Sequence, residues 1–141
     1  MFKKKRVYLD YAAATPLSPG VFSAMKPFLL ENYANASAIY KEGVVARQAV
    51  EAARARIAHT LQVRPEFVTF VSGGTEANNL AIIGTIENLA SEGLSLAEME
   101  VVTTEIEHPS VMNTMKVLEA RGVKIKYVPV DEQGLVQLAA L

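Results

Sequence analysis

The stretch Val71-Ser72-Gly73-Gly74-Thr75-Glu76-Ala77-Asn78-Asn79-Leu80 carries the densest chemistry in the sequence. An apolar run ends, two glycines turn the chain, and helix-forming residues follow. Glycines let backbone N–H groups approach a ligand without Cβ hindrance. A helix start adds unpaired donors and about half a positive charge. Together these features suit an anion, most often a phosphate, with Gly74 and Thr75 as the binding residues. The same residues also fit a plain strand-to-helix turn with Thr75 as N-cap. The spacing is neither GxGxxG nor a Walker loop, so a dinucleotide or ATP gains no support. A second constellation is Thr104-Glu105-Ile106-Glu107-His108-Pro109-Ser110. It also lies between a strand and a helix start. A helix N-terminus favours a neutral imidazole at His108, suited to stacking on a ring or exchanging protons, or else to capping alone. Glu105 and Glu107 read as a local acidic patch and no metal pair, since no second histidine is near. His59 falls late in a helix and is given no role. A third segment, Tyr8 to Pro16, sets small residues before a Thr-Pro turn and permits close approach by another surface.

The elements that must position these groups follow from periodicity. Ser18 as N-cap and Pro19 at the first helical position open a helix whose apolar residues Val21, Met25, Phe28 and Leu29 share a face. Asn32 to Ser37 breaks the pattern. A longer helix runs from about Val44 to Leu61, with Val45, Ala49, Ala53, Ile57 and Leu61 as its apolar stripe and Arg47, Glu51, Arg54 and Arg56 solvated. Phe67 to Val71 reads as a buried strand. A helix over Thr75–Leu89, a strand over Val101–Thr104, a helix from Pro109 to about Arg121 closed by Gly122, and a third strand over Val123–Val130 complete the pattern. Alternation of strand and helix at this spacing predicts an α/β fold with mostly parallel pairing. Asp131-Glu132-Gln133-Gly134 is a turn, and Leu138-Ala139-Ala140-Leu141 resembles the opening of another amphipathic helix. The expected organisation is an N-terminal arm and loop over 1–18, followed by helices and an incomplete α/β domain over 19–141.

Composition narrows the function classes. The chain has 141 residues, half of them hydrophobic, and a net charge of −1. That describes a globular chain and excludes global disorder. A sequence pI near 6.1 argues against nucleic acid as the main partner. The cations of Met1 to Arg6 read as a solvated tail. No run reaches the length of a membrane helix and no secretion signal is seen, so a cytoplasmic location with no membrane partner is expected. Cysteine is absent, which excludes a disulfide, a thiolate metal site or a cysteine nucleophile within these residues.

Four segments in register resemble the cysteine desulfurases of the NifS/IscS-like group, within the class V aminotransferases. Leu9 to Pro16, LDYAAATP, is similar to the opening LDxxATTP-type segment of that family. Ser72 to Ile82, SGGTEANNLAI, is close to its SGATExNNLAI segment. Thr104 to Val111, TEIEHPSV, matches TxxEHxAV, and Glu51 to Arg54 matches the ExAR of the long helix. The resemblance implies a pyridoxal 5′-phosphate enzyme of fold type I. Such an enzyme takes sulfur from L-cysteine, releases L-alanine and holds the sulfur as a persulfide. Gly74 and Thr75 match positions that bind the cofactor phosphate. His108 matches the catalytic histidine that stacks on the cofactor ring. A homodimer and an iron–sulfur scaffold or other sulfur-acceptor protein are implied as partners.

Departures from the family pattern also matter. The lysine that holds the cofactor, the aspartate facing the ring nitrogen, the substrate-binding arginine and the persulfide cysteine have no counterpart here. Asn35-Ala36 stands where the family has Asn-Pro, and Gly74 replaces the commoner alanine. The sequence therefore reads as the N-terminal portion of a desulfurase, inactive in isolation. Two alternatives stay open: another class V activity, such as a selenocysteine lyase or an aminotransferase, and a non-catalytic piece that pairs with a separate C-terminal half.

Overall fold

The computed structural model describes residues 6–140, so the basic start over 1–5 and Leu141 lie outside the described residues. The chain divides into two compact units, residues 1–69 and 70–141.

The first unit holds helices α1 (Pro19–Leu30) and α2 (Lys41–Leu61). Ser18 caps α1 as its sequence foretells, its Oγ accepting from the Val21 amide at 3.3 Å, with Pro19 in the first turn. Within this unit the Val21, Met25, Phe28 and Leu29 face is exposed. In α2 the buried residues are Gly43, Ala46 and Ala58, which corrects the expected stripe through Val45, Ala49, Ala53, Ile57 and Leu61: Ala49 is half-buried and the other four are exposed. At Gly43 only a glycine admits the neighbouring backbone, since a Cβ there would lie 2.5 Å from the Ala38 carbonyl oxygen. Arg54 is likewise not simply solvated. It pairs with Glu51 at 3.1 Å and donates to the Val68 carbonyl, tying α2 to the segment that follows it.

The expected strand over 67–71 does not form. Pro65–Phe67 is a 3₁₀ turn and Val68 is extended, but among the described residues no ladder includes this run. High β propensity describes a residue that fits a pleated surface; the strand itself requires a neighbour to supply the ladder.

The second unit carries α3 (Gly74–Ser91), β1 (Glu100–Thr104), α4 (Pro109–Ala120) and β2 (Lys124–Val128). β1 and β2 pair in parallel, Glu100 opposite Lys124 through Thr104 opposite Val128, with α4 as the connection. This is the α/β pattern expected, with the last strand shorter than Val123–Val130. Val130 instead forms an isolated antiparallel bridge to Val136 around the Asp131 turn, where Asp131 Oδ1 accepts from the Gln133 and Leu135 amides. Leu138–Ala140 is a 3₁₀ turn in place of the expected amphipathic helix start.

The core joins α3, α4 and the sheet through Ile86, Met99, Leu118 and Val123, with Ile82, Leu89, Val101 and Ile125 against them. Met115 and Leu118 of α4 are buried, while Leu80 of α3 stays exposed. Gly122, at φ 99°, closes α4 in the left-handed region, and the Val123 amide returns to the Leu118 carbonyl at 3.1 Å. Arg121 then reaches Glu87 at 2.6 Å, linking the ends of α4 and α3.

Leu118 is 0% exposed at the centre of this core. Leu118→Ala is expected to lower stability by about 2–5 kcal/mol, read by urea denaturation. A loss below about 1 kcal/mol would show that the core of the second unit is centred elsewhere.

Candidate functional site

Two helices begin beside one another in the second unit, and the space between their first turns is the candidate site. Gly74, Thr75, Asn78, His108 and Ser110 line a concavity of about 350 Å³. The sequence reading placed Gly74, Thr75 and His108 at strand-to-helix turns, and the structure brings all three together. A larger hollow of about 590 Å³ runs along Ile82, Ile86, Leu89 and Met99 and is mainly apolar. Convergent polar groups are found in the smaller one.

The N-cap of α3 is Gly73, not Thr75, and it offers no side-chain cap. Gly74 and Thr75 are therefore the first two helical residues. The Ala77 N–H donates to the Gly73 carbonyl at 3.0 Å and opens the helix, so the Gly74 and Thr75 amides belong to the first turn, whose N–H groups have no acceptor within the helix itself. A Cβ built on Gly74 would meet nothing within 4 Å. Gly74 lines the concavity, and a side chain there would project into open space.

Glu76 fixes the turn that presents these amides. Its carboxylate accepts from both the Ser72 hydroxyl and the Ser72 N–H, each at 2.6 Å. Those bonds, the hydroxyl first, hold the Glu76 carboxyl below the ordinary carboxylate range. The carboxylate is engaged with Ser72 and does not line the concavity.

His108 is the N-cap of α4, and its Nδ1 accepts from the Ser110 amide at 3.1 Å. The Ser110 hydroxyl also lies 2.8 Å from Nδ1. Two asparagines of α3 bind across to α4. Asn78 Nδ2 donates to Ser110 Oγ at 2.8 Å, and Asn79 Oδ1 accepts from the Thr114 hydroxyl at 2.9 Å. Asn79 Nδ2 donates back to the Thr75 carbonyl at 2.8 Å, holding the first turn of α3 to the same network. Ser110 and Thr114 are buried. Among the described residues no buried side-chain polar atom lacks a hydrogen bond.

Asn78, Ser110 and Glu76 were not singled out by the sequence reading. Their signals were present: Glu four residues after Ser72, and adjacent asparagines on a helix facing Ser110 and Thr114 at i, i+4. Glu107, by contrast, bonds Thr104 at 2.9 Å and faces a separate hollow with Val128 and Val136. Glu105 is exposed. Tyr8 to Pro16 belongs to the first unit, where the Asp10 side chain accepts from the Ala13 amide at 3.3 Å and Tyr8 and Tyr11 lie 5.9 Å apart. His59, also in that unit, lies in the last turn of α2. No lysine lines the concavity among the described residues.

This arrangement can bind an anion by two backbone amides and a hydroxyl at a helix start, with an imidazole beside it. Residues 7–141 match the aminotransferase class V family model. A cysteine desulfurase IscS of Dictyoglomus turgidum is 43% identical over 133 residues, covering 94% of this chain and 32% of that protein. Among solved structures, a NifS-like protein superposes with a TM-score of 0.86 at 35% identity, over 96% of this chain and 36% of the other. A structure described as SspA in complex with cysteine gives 0.76 at 39%, over 87% and 34%. These likenesses make the fold the N-terminal α/β part of the fold type I architecture. The chain spans about a third of the length of the curated relatives it matches.

The bonds from Ser72 make Glu76 a source of pH-dependent stability. A carboxyl depressed in the folded state contributes fully above the ordinary glutamate value of about 4.3, and loses that contribution as pH falls through the depressed value. Glu76→Gln is therefore expected to be less stable than the parent protein at neutral pH, with the difference shrinking on acidification below about pH 4. A difference that is constant from neutral to acid, in denaturation curves, would contradict this.

Proposed function

The chain belongs to the aminotransferase class V family, whose members are pyridoxal phosphate enzymes. From that premise we propose that its concavity is the phosphate-side rim of the cofactor site of a cysteine desulfurase. The observation that carries this is the meeting of Gly74, Thr75 and His108 at one helix start. The residues present fit such a group. The Gly74 and Thr75 amides and the Thr75 hydroxyl would hold the phosphate, with the α3 dipole adding to the attraction. His108 would lie against the ring, and its fixed position on the N-cap of α4 gives it a defined face to present. When bound, the cofactor supplies the electron sink for chemistry at the amino acid substrate, and the protein supplies orientation and electrostatics.

The same reading makes L-cysteine the substrate. It is supported by the desulfurase relatives and by a structural neighbour described as a complex with cysteine. It carries with it a homodimeric holoenzyme, a cytoplasmic location, and an iron–sulfur scaffold or other protein as sulfur acceptor. Two groups must come from outside these residues. This chain has no cysteine to carry sulfur, and none of the described lysines reaches the concavity.

Calorimetry with 4-deoxypyridoxine 5′-phosphate, which lacks the aldehyde and so cannot react with surface lysines, tests the phosphate site. Thr75→Val is expected to weaken binding roughly fivefold, about 1 kcal/mol for one lost hydrogen bond. Gly74→Asp, which sets a carboxylate in the cradle, is expected to weaken it roughly tenfold or more. Equal affinity for deoxypyridoxine without the phosphate would overturn the assignment. The 141-residue chain alone, given pyridoxal phosphate, L-cysteine and a reductant, is expected to release sulfide no faster than free cofactor does. A faster rate would mean that the reacting groups lie within these residues after all.

A further inference from the structure

The contacts around His108 do more than cap a helix. An N-cap needs one bond from a first-turn amide, and the Ser110 N–H supplies it at 3.1 Å. The structure adds a second donor to the same ring nitrogen, the Ser110 hydroxyl at 2.8 Å, and a third group behind it, Asn78 Nδ2, 2.8 Å from that hydroxyl. The donor directions are fixed by the chemistry of the groups. A backbone N–H can only donate, so Nδ1 accepts in this bond, the longer of the two that reach it. An amide NH₂ can only donate, so Asn78 occupies a lone pair of Ser110 Oγ and leaves the hydroxyl proton to turn toward Nδ1. The result is a one-way chain, Asn78 to Ser110 to His108, that crosses from α3 to α4.

We propose that Ser110, oriented by Asn78, is a positioning residue for His108, holding Nδ1 as an acceptor so that the ring carries its proton on Nε2. The tautomer of a histidine is set by the bond its other nitrogen makes. Here that bond is made twice, both times from the buried Ser110, to a ring that is itself exposed. His108 then offers the concavity a single kind of group, an Nε2–H donor, in a fixed ring plane. The use of that proton on a bound substrate rests on the functional reading given above; the tautomer does not.

Nitrogen-15 spectra of the ligand-free protein labelled at histidine read the tautomer directly. The chain has two histidines, so His59→Gln assigns the signals. Near pH 8, His108 is expected to show a pyridine-type Nδ1 and a pyrrole-type Nε2. Ser110→Ala keeps the amide and removes the hydroxyl, the shorter of the two contacts, and should move both nitrogens part of the way toward the averaged position of exchanging tautomers, the amide alone holding the remainder. Asn78→Ala should produce a smaller shift in the same direction. Ser110→Thr, which keeps the hydroxyl, should keep the parent pattern. An averaged or Nδ1–H pattern in the parent protein overturns the proposal without recourse to any variant. So does a Ser110→Ala spectrum identical to the parent, or a Ser110→Thr spectrum identical to that of Ser110→Ala. Binding of 4-deoxypyridoxine 5′-phosphate is a separate reading. A protein with the expected tautomer that does not bind it refutes the cofactor site and leaves the positioning role standing, and the converse result does the reverse.

Discussion

Two hydrogen bonds between α3 and α4 set the geometry on which the candidate site depends: Asn78 to Ser110 and Thr114 to Asn79. Apolar packing holds the two helices together lower down, through Ile86, Leu118 and their neighbours. Such packing is tolerant of small shifts and would not by itself fix where two helix starts lie relative to each other. Directed polar bonds are not tolerant, because a buried hydroxyl or amide that loses its partner costs about 1–3 kcal/mol. Ser110 and Thr114, one turn apart on α4, are both buried and both satisfied from α3. The first turn of one helix therefore specifies the first turn of the other.

That constraint explains why the groups with chemistry are found where they are. Asn79 grips the Thr75 carbonyl and Glu76 grips Ser72, so the turn bearing the Gly74 and Thr75 amides is held on both sides. His108 is held through Ser110 by the neighbouring asparagine. One adjacent pair of side chains thus places the amide donors and the imidazole on a common rim. The rim brings backbone donors at Gly74 and Thr75, with the nearby Glu76 carboxylate already engaged. Those are the requirements of an anion site that must also orient a ring.

Much of this was legible in the sequence wherever the cause was local. Ser18-Pro19 announces α1, His108-Pro109 announces α4, and Gly122 closes it, because caps and closures are decided by a few adjacent residues. Gly74, Thr75 and His108 were legible as candidates for the same reason, and the family resemblance singled them out together. What was not legible depended on distant partners. Asn78 and Ser110 are 32 residues apart, and Asn79 and Thr114 are 35 apart, so neither pair leaves a periodic mark. The run at 67–71 has strand-forming residues but no ladder, and in α2 the buried positions are the small ones at Gly43, Ala46 and Ala58. In both cases the surroundings of the segment, more than its own residues, decide the outcome.

The most direct test of the account is a backbone and histidine-ring chemical-shift map of the protein titrated with pyridoxal 5′-phosphate under conditions that keep surface lysines unreactive. The amides of Gly74 and Thr75 and the ring of His108 are expected to shift together along a single saturation curve, with Asn78 and Ser110 following as the network behind them adjusts. Shifts confined to the lysine-bearing surfaces, with residues 74, 75 and 108 unmoved at saturation, would contradict the claim that these two helix starts form the cofactor rim.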